Sequence, residues 1–320
     1  MTAITGQPGV TKRPGELGIH SLDAFTLEVP SLEDARRFYG AFGLEVREEG
    51  EGLGVYAAGD DHRWLSLREG PRKRLGHLSF GLFEEDAEPM KRHIEAQGIR
   101  LTDAPAGVES DGLWFRDPFG IAIELKVAEK SSPNAKPAFT TASVPAGVAA
   151  APSRSRAGLV QPKRLAHLLL FSPDVSACLD FYGRALGLRL SDRAGDIVCF
   201  LHGIHGSDHH IIAFAKSDGP GLHHSSWDVG GIDEIGRGAA QMAAQGFAKG
   251  WGLGRHVLGS NYFHYVGDPW GSYAEYAADI DYIPLDQDWP AADHPPEDSF
   301  FLWGPELPEG FVHNFEADPG

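Results

Sequence analysis

The sequence predicts an α+β fold built from a duplicated module, and three observations lead to this prediction. Residues 21–44 align with residues 164–188, and the tripeptide Phe-Tyr-Gly occupies the same place in both segments. The sequence RDPFGIAIEL, which begins at Arg116, matches GDPWGSYAEY, which begins at Gly267. In both halves, segments with the period of a strand and segments with the period of a helix follow one another as strand, helix, strands. Each half is therefore predicted to contain two βαβββ units.

Composition and charge exclude several classes of protein. The 320-residue chain is long enough for two domains, and its net charge of −17 without a Lys/Arg-rich run argues against nucleic acid or an anionic membrane as a partner. No apolar run approaches the roughly 18 residues of a membrane helix, and the N-terminal segment lacks the apolar core of a signal peptide. The two cysteines, Cys178 and Cys199, form neither a CxxC motif nor a disulfide framework. We therefore expect a cytoplasmic protein.

The elements of the first module begin with a strand at 24–29, followed by a helix. Ser31 is the expected N-cap of this helix and Gly43 its expected end, because a hydroxyl satisfies a free N–H group and glycine accepts the left-handed conformation. Further strands are predicted at 54–58, 64–68, 77–83, 113–116 and 121–127, with a second helix at about 86–97.

The second module is predicted to repeat this order. Its first helix is expected to have Ser172 as N-cap and Pro173 in its first turn. Near its end, alternating segments at 261–266 and 272–277 flank the turn residues 268–271, and this pattern predicts a β-hairpin.

Four regions follow from these patterns: a non-catalytic module at 1–127, a linker at 128–162, a catalytic metal-binding module at 163–283 and an acidic tail at 284–320. The linker is rich in Ala, Pro, Ser, Thr and Gly without sustained periodicity, as is typical of segments that bury little apolar surface. The tail contains several aromatic residues, so we expect it to pack either on the catalytic module or on a neighbouring subunit.

The predicted hairpin carries Glu275 in an otherwise uncharged strand, where a carboxylate is costly to bury unless it is paired or bound to a metal. Comparison of the two halves identifies candidate partners for this carboxylate. His224 and Glu275 have counterparts in the first half, whereas His167 corresponds to Ala24. The second half alone therefore offers two histidines and a carboxylate at these three strand positions.

In the first half, the counterparts of His224 and Glu275 are His77 and Glu124. Because Ala24 removes the third ligand and no replacement lies nearby in the sequence, we expect a structural module without a metal.

Two neutral imidazoles and one carboxylate leave coordination positions open, which suits an iron(II) ion that binds a substrate and dioxygen together. One carboxylate also leaves a divalent ion with residual positive charge, which can hold an anionic chelating substrate. Zinc, manganese, nickel and cobalt accept the same ligands.

These motifs resemble those of the type I extradiol ring-cleavage dioxygenases of the vicinal oxygen chelate superfamily. The shared motifs are HLLLF at His167, HHIIAF at His209, LHHSSW at Leu222 and the stretch from Gly254 to Tyr276. The resemblance covers nearly the whole chain. It implies tandem vicinal oxygen chelate modules, each of two βαβββ units that form a half-open barrel, with the second module catalytic.

The resemblance also implies the roles of six residues. His167, His224 and Glu275 match the family's metal ligands, with iron(II) as the expected metal and manganese(II) as the alternative. His210 matches the acid/base histidine, and His256 and Tyr265 match residues that hydrogen-bond the catecholate. The implied partners are a catecholic substrate and dioxygen, in a homo-oligomer.

His209 is adjacent to His210, and His223 to His224. Adjacent strand residues face opposite ways, so at most one member of each pair can face the metal. We assign His210 and His224 to the metal side, and His209 and His223 to the other. Three further histidines are predicted to lie in loops or at the surface: His202, His205 and His264.

Two other functions fit the same residues. One is a glyoxalase-like isomerase, an epimerase or a thiol transferase on the same metal scaffold; His210, His256 and Tyr265 beside the triad disfavour it. The other is a metal-free binding module for aromatic ligands, which would make the triad coincidental.

Overall fold

The computed structural model describes residues 10–140 and 143–318, which form two large mixed sheets, one from each half of the chain. Residues 1–9 of the predicted first module, 141–142 of the predicted linker and 319–320 of the predicted tail lie outside the described residues. None of the helices in the described ranges is long and apolar enough to cross a membrane.

The first half forms a seven-stranded sheet with two α-helices. Its elements are β1 Ser21–Val29, α1 Leu32–Phe42, β2 Glu45–Glu49, β3 Gly52–Tyr56, β4 Arg63–Glu69, β5 Arg74–Leu82, α2 Ala87–Ala96, β6 Leu113–Arg116 and β7 Ala122–Val127. The strand order is β2-β3-β4-β1-β5-β7-β6.

The second half contributes the ten-stranded sheet and a two-stranded one. Its elements are β8 Arg164–Ser172, α3 Val175–Leu186, β9 Arg189–Ala194, β10 Val198–His202, β11 Ser207–Asp208, β12 Ile212–Lys216, β13 Gly221–Asp228, α4 Ile232–Ala244, β14 Gly250–His256, β15 Tyr262–Gly267, β16 Tyr273–Ala278, β17 Tyr282–Ile283, β18 Ala292–Asp293, α5 Pro296–Ser299 and β19 Phe301–Trp303. The large sheet has the order β18-β9-β10-β12-β8-β13-β16-β15-β14-β19, and β11 pairs with β17.

The strand pairing confirms the duplication. In the first half, β1 is parallel to β4 and antiparallel to β5, which is parallel to β7. In the second half, β8 is parallel to β12 and antiparallel to β13, which is parallel to β16. The predicted hairpin is also confirmed, since β15 and β16 are antiparallel neighbours.

The caps of the two equivalent helices differ. Ser31 accepts a hydrogen bond from the Asp34 backbone N–H, and Gly43 ends α1 with a φ of 97°, both as predicted. The prediction of Ser172 as the cap of α3 was wrong: Asp174 is the N-cap and accepts from the Ala177 N–H. Pro173 therefore precedes the helix instead of lying in its first turn.

The two modules share a packed interface. The ring of Phe42, at the end of α1, stacks on the ring of Tyr276 in β16, with centroids 3.8 Å apart and planes 6° from parallel. The Tyr276 hydroxyl donates to the Phe42 carbonyl across 2.8 Å. Both side chains are fully buried, and burial of a side chain of this size stabilises the fold by about 1.5–3 kcal/mol. The first module thus completes part of the core of the second.

The predicted linker contacts both modules within its described ranges. Lys130 donates to the Gly206 carbonyl at 2.9 Å, and the Thr140 N–H donates to the Gly230 carbonyl at 2.8 Å. Val160 is 2% exposed. These contacts hold the segment against the folded halves at several points.

The C-terminal tail packs on the second module of its own chain. Its strand β19 pairs with β14 at the end of the large sheet. Phe300 stacks on Trp251 with centroids 5.1 Å apart, and Phe311 is 2% exposed. The described residues of the tail therefore pack on the second module, which is the first of the two arrangements expected from the sequence.

Candidate active site

Three neighbouring strands bring His167, His224 and Glu275 together. In the register of the sheet, Ser226 of β13 stands opposite His167 of β8 on one side and opposite Glu275 of β16 on the other. Residues directly opposite share a face, and His224 shares that face because it lies two positions before Ser226. The three side chains therefore converge.

The converging atoms have the composition and spacing of a metal site. The Nε2 atoms of His167 and His224 are 3.3 Å apart, and both lie within 3.5 Å of Glu275 Oε2. All three residues are at most 2% exposed. Glu275 Oε2 is buried and has no hydrogen-bond partner among the described residues. A buried carboxylate oxygen facing two imidazole nitrogens fits a divalent cation, which would satisfy all three atoms.

The second carboxylate oxygen of Glu275 is held by Asn261, whose Nδ2 donates to Oε1 across 3.2 Å. Burial alone would raise the pKa of Glu275, but the neighbouring His167 and His256 leave the pKa below its ordinary value. The carboxylate is thus oriented and kept ionised. Sequence reasoning missed Asn261, although its position at the start of the predicted hairpin strand, close in sequence to His256 and Tyr265, could have suggested it.

His256 and Tyr265 form a hydrogen-bonded pair beside the triad. His256 Nε2 lies 2.9 Å from the Tyr265 hydroxyl, and His256 Nδ1 lies 2.9 Å from the Phe300 carbonyl. Burial lowers the pKa of His256 and, with the charge of Glu275, raises that of Tyr265 well above its ordinary value. In the neutral imidazole, Nδ1–H donates to the Phe300 carbonyl, so Nε2 accepts from the Tyr265 O–H.

His210 lies on the other side of the triad. Its ring centroid is 4.1 Å from that of His167, and burial, reinforced by the neighbouring histidines, lowers its pKa well below the ordinary value. His209 is directed away and its Nε2 lies 2.9 Å from Asp192 Oδ2. Likewise His223 Nε2 lies 2.9 Å from the Phe311 carbonyl, while His224 joins the triad.

Two of the other histidines are more buried than the sequence suggested. His202 lies at the end of β10 and is 5% exposed, so the prediction of a loop or surface position was wrong for it. His205 lies in the loop between β10 and β11, as predicted, but it is fully buried. His202 Nδ1 is 2.8 Å from the Ser191 hydroxyl. His205 packs edge-on against Phe83 of the first module, with centroids 5.2 Å apart. Contacts between modules, which local sequence does not reveal, bury His205.

A cavity of about 280 Å³ lies beside the triad and is lined by two of its members, His167 and His224. The other polar rings in the lining are those of His210, His223, His256 and Tyr265. One wall comes from the sheet and another from the tail. Apart from the histidines, Asn261, Tyr265 and Ser299, the side chains lining it are apolar: Leu169, Ala194, Ile197, Val198, Phe200, Ala215, Leu258, Pro296, Phe300, Phe311 and Val312. The cavity therefore suits a small, largely apolar ligand. The neighbouring side chains of Ile212, Phe214 and Trp227 are fully buried and lie outside the cavity lining.

The corresponding positions of the first module are arranged differently. Ser79 stands opposite both Ala24 and Glu124, as Ser226 does opposite His167 and Glu275. Glu124 Oε2 accepts from the Ser79 hydroxyl at 2.5 Å, and His77 Nε2 lies 3.3 Å from the Thr26 hydroxyl. The carboxylate that faces the metal site in the second module is here satisfied by a hydroxyl.

Comparison with known proteins agrees with this architecture. The family model described as the glyoxalase/bleomycin resistance protein/dioxygenase superfamily matches residues 21–125 and 164–276. The chain is 50% identical over 299 residues to metapyrocatechase 2 of Cupriavidus necator, with 93% of each chain covered. It is 24% identical to a manganese-dependent 2,3-dihydroxybiphenyl 1,2-dioxygenase of Geobacillus genomosp. 3, over 89% of this chain and 93% of the relative.

Solved structures share the fold. The Mn(II)-bound glyoxalase from Novosphingobium aromaticivorans superimposes with a TM-score of 0.74 at 25% identity, with 93% of this chain and 95% of that chain covered. An extradiol ring-cleaving dioxygenase from B. fuscum also gives a TM-score of 0.74, at 22% identity, with coverage of 94% and 84%. The chain therefore belongs to the glyoxalase/bleomycin resistance protein/dioxygenase superfamily and, within it, to the extradiol ring-cleavage dioxygenases that its motifs resemble.

Proposed function

We propose that this protein cleaves catechol or a substituted catechol next to its two hydroxyl groups, with dioxygen as the co-substrate. The observation that carries the proposal is the group of His210, His256 and Tyr265 around the His167, His224 and Glu275 triad, in a chain 50% identical to a metapyrocatechase. Relatives with lower identity include a 3-methylcatechol 2,3-dioxygenase of Pseudomonas putida, 28% identical over 242 residues.

His167, His224 and Glu275 would hold the metal, for which iron(II) is our proposal and manganese(II) the alternative. When bound there, a divalent ion supplies a positive charge that lowers the pKa of a catechol and open positions that hold it close to dioxygen. The manganese named for two relatives supports the alternative.

Tyr265 and His256 would bind and orient the catechol. The raised pKa of Tyr265, which burial causes, keeps its phenol protonated, so its O–H is a donor for a deprotonated catechol oxygen. That donation would release His256 Nε2, which now accepts from Tyr265 at 2.9 Å. His256 could then accept a proton or hydrogen bond from the substrate, while the Phe300 carbonyl keeps its ring in place.

His210 would act as the acid/base residue. It lines the cavity next to His167 and is shielded from water. A neutral imidazole in this position can stabilise negative charge that develops on oxygen and move a proton as the ring opens.

The duplicated architecture suggests that the two modules have different roles. We propose that residues 1–127 form a non-catalytic module, 163–283 the catalytic one, 128–162 the linker and 284–320 a tail that closes the substrate cavity, in a homo-oligomer. The cytoplasmic location remains a prediction, which the two free, buried cysteines support.

A glyoxalase-like isomerase is the second candidate, because the Mn(II)-bound glyoxalase shares the fold. The cavity argues against it. A glyoxalase-type isomerase acts on an adduct of a thiol tripeptide such as glutathione, which carries two carboxylates. Among the described residues that line the cavity there is no lysine or arginine to pair with them.

The test is oxygen uptake. The protein is loaded with iron(II) without air and mixed with catechol, 3-methylcatechol or 2,3-dihydroxybiphenyl, and air is then admitted. Stoichiometric oxygen uptake with a yellow ring-opened product is expected from at least one diol. Fully metal-loaded protein that consumes no oxygen with any of them, but isomerises a thiol adduct of an α-ketoaldehyde, would overturn the proposal.

A further inference from the structure

A second cavity, of about 430 Å³, opens on the first module. It is in part the counterpart of the substrate cavity. His77 and Thr26 line it, and in the duplicated sequence these residues correspond to His224 and Leu169, which line the substrate cavity. The duplication has thus left a concave site in the module to which we assign no chemistry.

This cavity is rich in arginine. Four of its lining residues are arginines: Arg68, Arg72, Arg74 and Arg116. Among residues 10–140 and 143–318, none of these four guanidinium groups forms a salt bridge with a carboxylate. Such a concentration of unpaired cations is unexpected in a chain with a net charge of −17.

Backbone carbonyl groups hold three of the arginines in place. Arg68 donates to the Ala106 carbonyl at 3.1 Å and to the Gly107 carbonyl at 2.5 Å. Arg116 donates to the Gly120 carbonyl at 2.6 Å, and Arg72 to the Asp318 carbonyl at 3.2 Å. These bonds restrain the three side chains and leave further N–H groups free, since each guanidinium carries five.

The acidic residues of the cavity do not neutralise this charge. Glu316 is bound to Lys73 at 2.6 Å and accepts hydrogen bonds from the Leu75 and Leu222 N–H groups. Glu28 stands in register between Arg68 and Arg74 and is the single other carboxylate among the described lining residues.

Burial lowers the pKa of His77 to about 4, so this side chain is neutral near pH 7. The lining thus contains four guanidinium groups and, besides Glu316, a single carboxylate, that of Glu28.

We propose that this cavity binds a small anion through a carboxylate or phosphate group held by Arg68, Arg74 and Arg116. Planar guanidinium groups bind both kinds of oxyanion in a bidentate manner. Apolar side chains share the cavity, among them Leu75, Val108 and Phe119. They favour an organic carboxylate with a hydrocarbon body over an inorganic ion.

Residues of the tail form part of the wall of this cavity. Glu316 and Ala317 line this cavity, while Phe311 and Val312 of the same segment line the substrate cavity. A ligand bound to the arginines therefore lies against the segment that closes the substrate cavity.

The experiment measures binding to the full-length protein by isothermal titration calorimetry, at constant ionic strength set with sodium chloride. The probes are benzoate and inorganic phosphate. The double variant Arg68→Gln/Arg116→Gln removes two of the cations. Arg92→Gln is the matched control, because Arg92 is an exposed residue of α2 outside the cavity.

We expect saturable binding of at least one probe, weakened at least tenfold in the double variant and unchanged in Arg92→Gln. Arg68→Lys, which keeps the charge, is expected to bind more weakly than the wild type but more tightly than the double variant. Binding of benzoate assigns the site to organic carboxylates, and binding of phosphate alone assigns it to phosphate groups.

Three results would overturn the proposal: no binding of either probe to the wild type, equal binding by the double variant, or equal weakening in Arg92→Gln. If benzoate bound in the substrate cavity instead, the double variant would bind it as tightly as the wild type, because the double variant keeps all the residues of that cavity. Because the readout is binding, it does not depend on the proposed dioxygenase activity.

Discussion

Asp192 accepts a hydrogen bond from His209, whose Nε2 lies 2.9 Å from the carboxylate, while Nδ1 of the same ring lies 3.1 Å from Nδ1 of His210. With the His209 proton on Nε2, its Nδ1 can only accept, so His210 must donate from Nδ1. The Nε2 of a neutral His210 is then free of a proton and can act as a base. Asp192 therefore sets, through His209, the tautomer of His210, the histidine to which we assign the acid/base role.

Substitution of Asp192 tests this relationship. Asp192→Asn is expected to lower kcat about tenfold or more with little change in KM or metal content, because the amide no longer fixes the His209 proton on Nε2. His294→Gln is the control, since the His294 Nε2 lies 2.7 Å from Oδ1 of the same carboxylate, whereas His209 bonds Oδ2. An equal loss of kcat in both variants would mean that Asp192 only anchors the tail.

His210 itself is tested by His210→Asn. The variant should still bind metal, because His210 is not one of the three converging ligands, but its turnover should fall by roughly 10²-fold or more. Metal analysis and oxygen uptake are measured on the same preparation. Unchanged turnover would contradict the acid/base role of His210.

Glu275 is expected to be essential for metal binding. Glu275→Ala should leave two buried imidazoles without the carboxylate and abolish stoichiometric metal, as measured by elemental analysis. Glu124→Ala is the matched control at the corresponding position of the first module, and its metal content should equal that of the wild type. A fall from two metals to one in this control would show that the first module also carries a metal.

The tail residue Phe300 is expected to limit substrate size. Phe300→Ala should raise the ratio of kcat/KM for 2,3-dihydroxybiphenyl to that for catechol by about tenfold, the usual effect of changing contacts in an apolar pocket. Phe301→Ala is the control, because Phe301 lies next to Phe300 but does not line the cavity. If both variants or neither changed the ratio, Phe300 would not be a wall of the substrate site.

Asp117 makes stability depend on pH. Burial raises the pKa of Asp117 to about 6 despite hydrogen bonds from the Phe119 and Ile121 N–H groups, whereas an unfolded aspartate has a pKa of about 3.9. A raised carboxyl pKa favours the folded state below about pH 4. As the pH rises to about 6 and beyond, this contribution is lost, and the free energy of unfolding falls by about 3 kcal/mol.

Asp117→Asn removes the ionisation and keeps an oxygen for the two N–H groups. Its Tm should therefore exceed that of the wild type at pH 7 and approach it at pH 4, as measured by calorimetry. Asp111→Asn, at an exposed position, should follow the wild type at both pH values. A Tm difference for Asp117→Asn that is the same at pH 4 and pH 7 would contradict this assignment.

The residues that could be predicted share one property: they lie at fixed positions in repeated strands. His167, His224 and Glu275 converge because the register places two of them opposite Ser226, and the same register recurs around Ser79. Comparing the two halves of the sequence therefore identified them as candidates, and the family resemblance supplied their role as ligands.

What could not be predicted depends on contacts between distant segments. Asp192 lies on β9, and its partner His294 comes from the tail, about which the strand pattern carries no information. Asp174 could have been chosen over Ser172 as N-cap only by knowing where α3 begins, since both residues are good caps. The buried His205 owes its environment to the other module.

The stacked pair of Phe42 and Tyr276 has an evolutionary consequence. After a gene duplication, a copy without its own chemistry is ordinarily free to be lost. Here the first copy supplies the ring that covers an aromatic residue next to the metal ligand Glu275 proposed above, and an isolated second copy would expose that ring to water. Deletion of the copy to which we assign no chemistry would therefore impair the copy that we propose to be catalytic, and selection for the proposed reaction would be enough to keep both copies in a single gene.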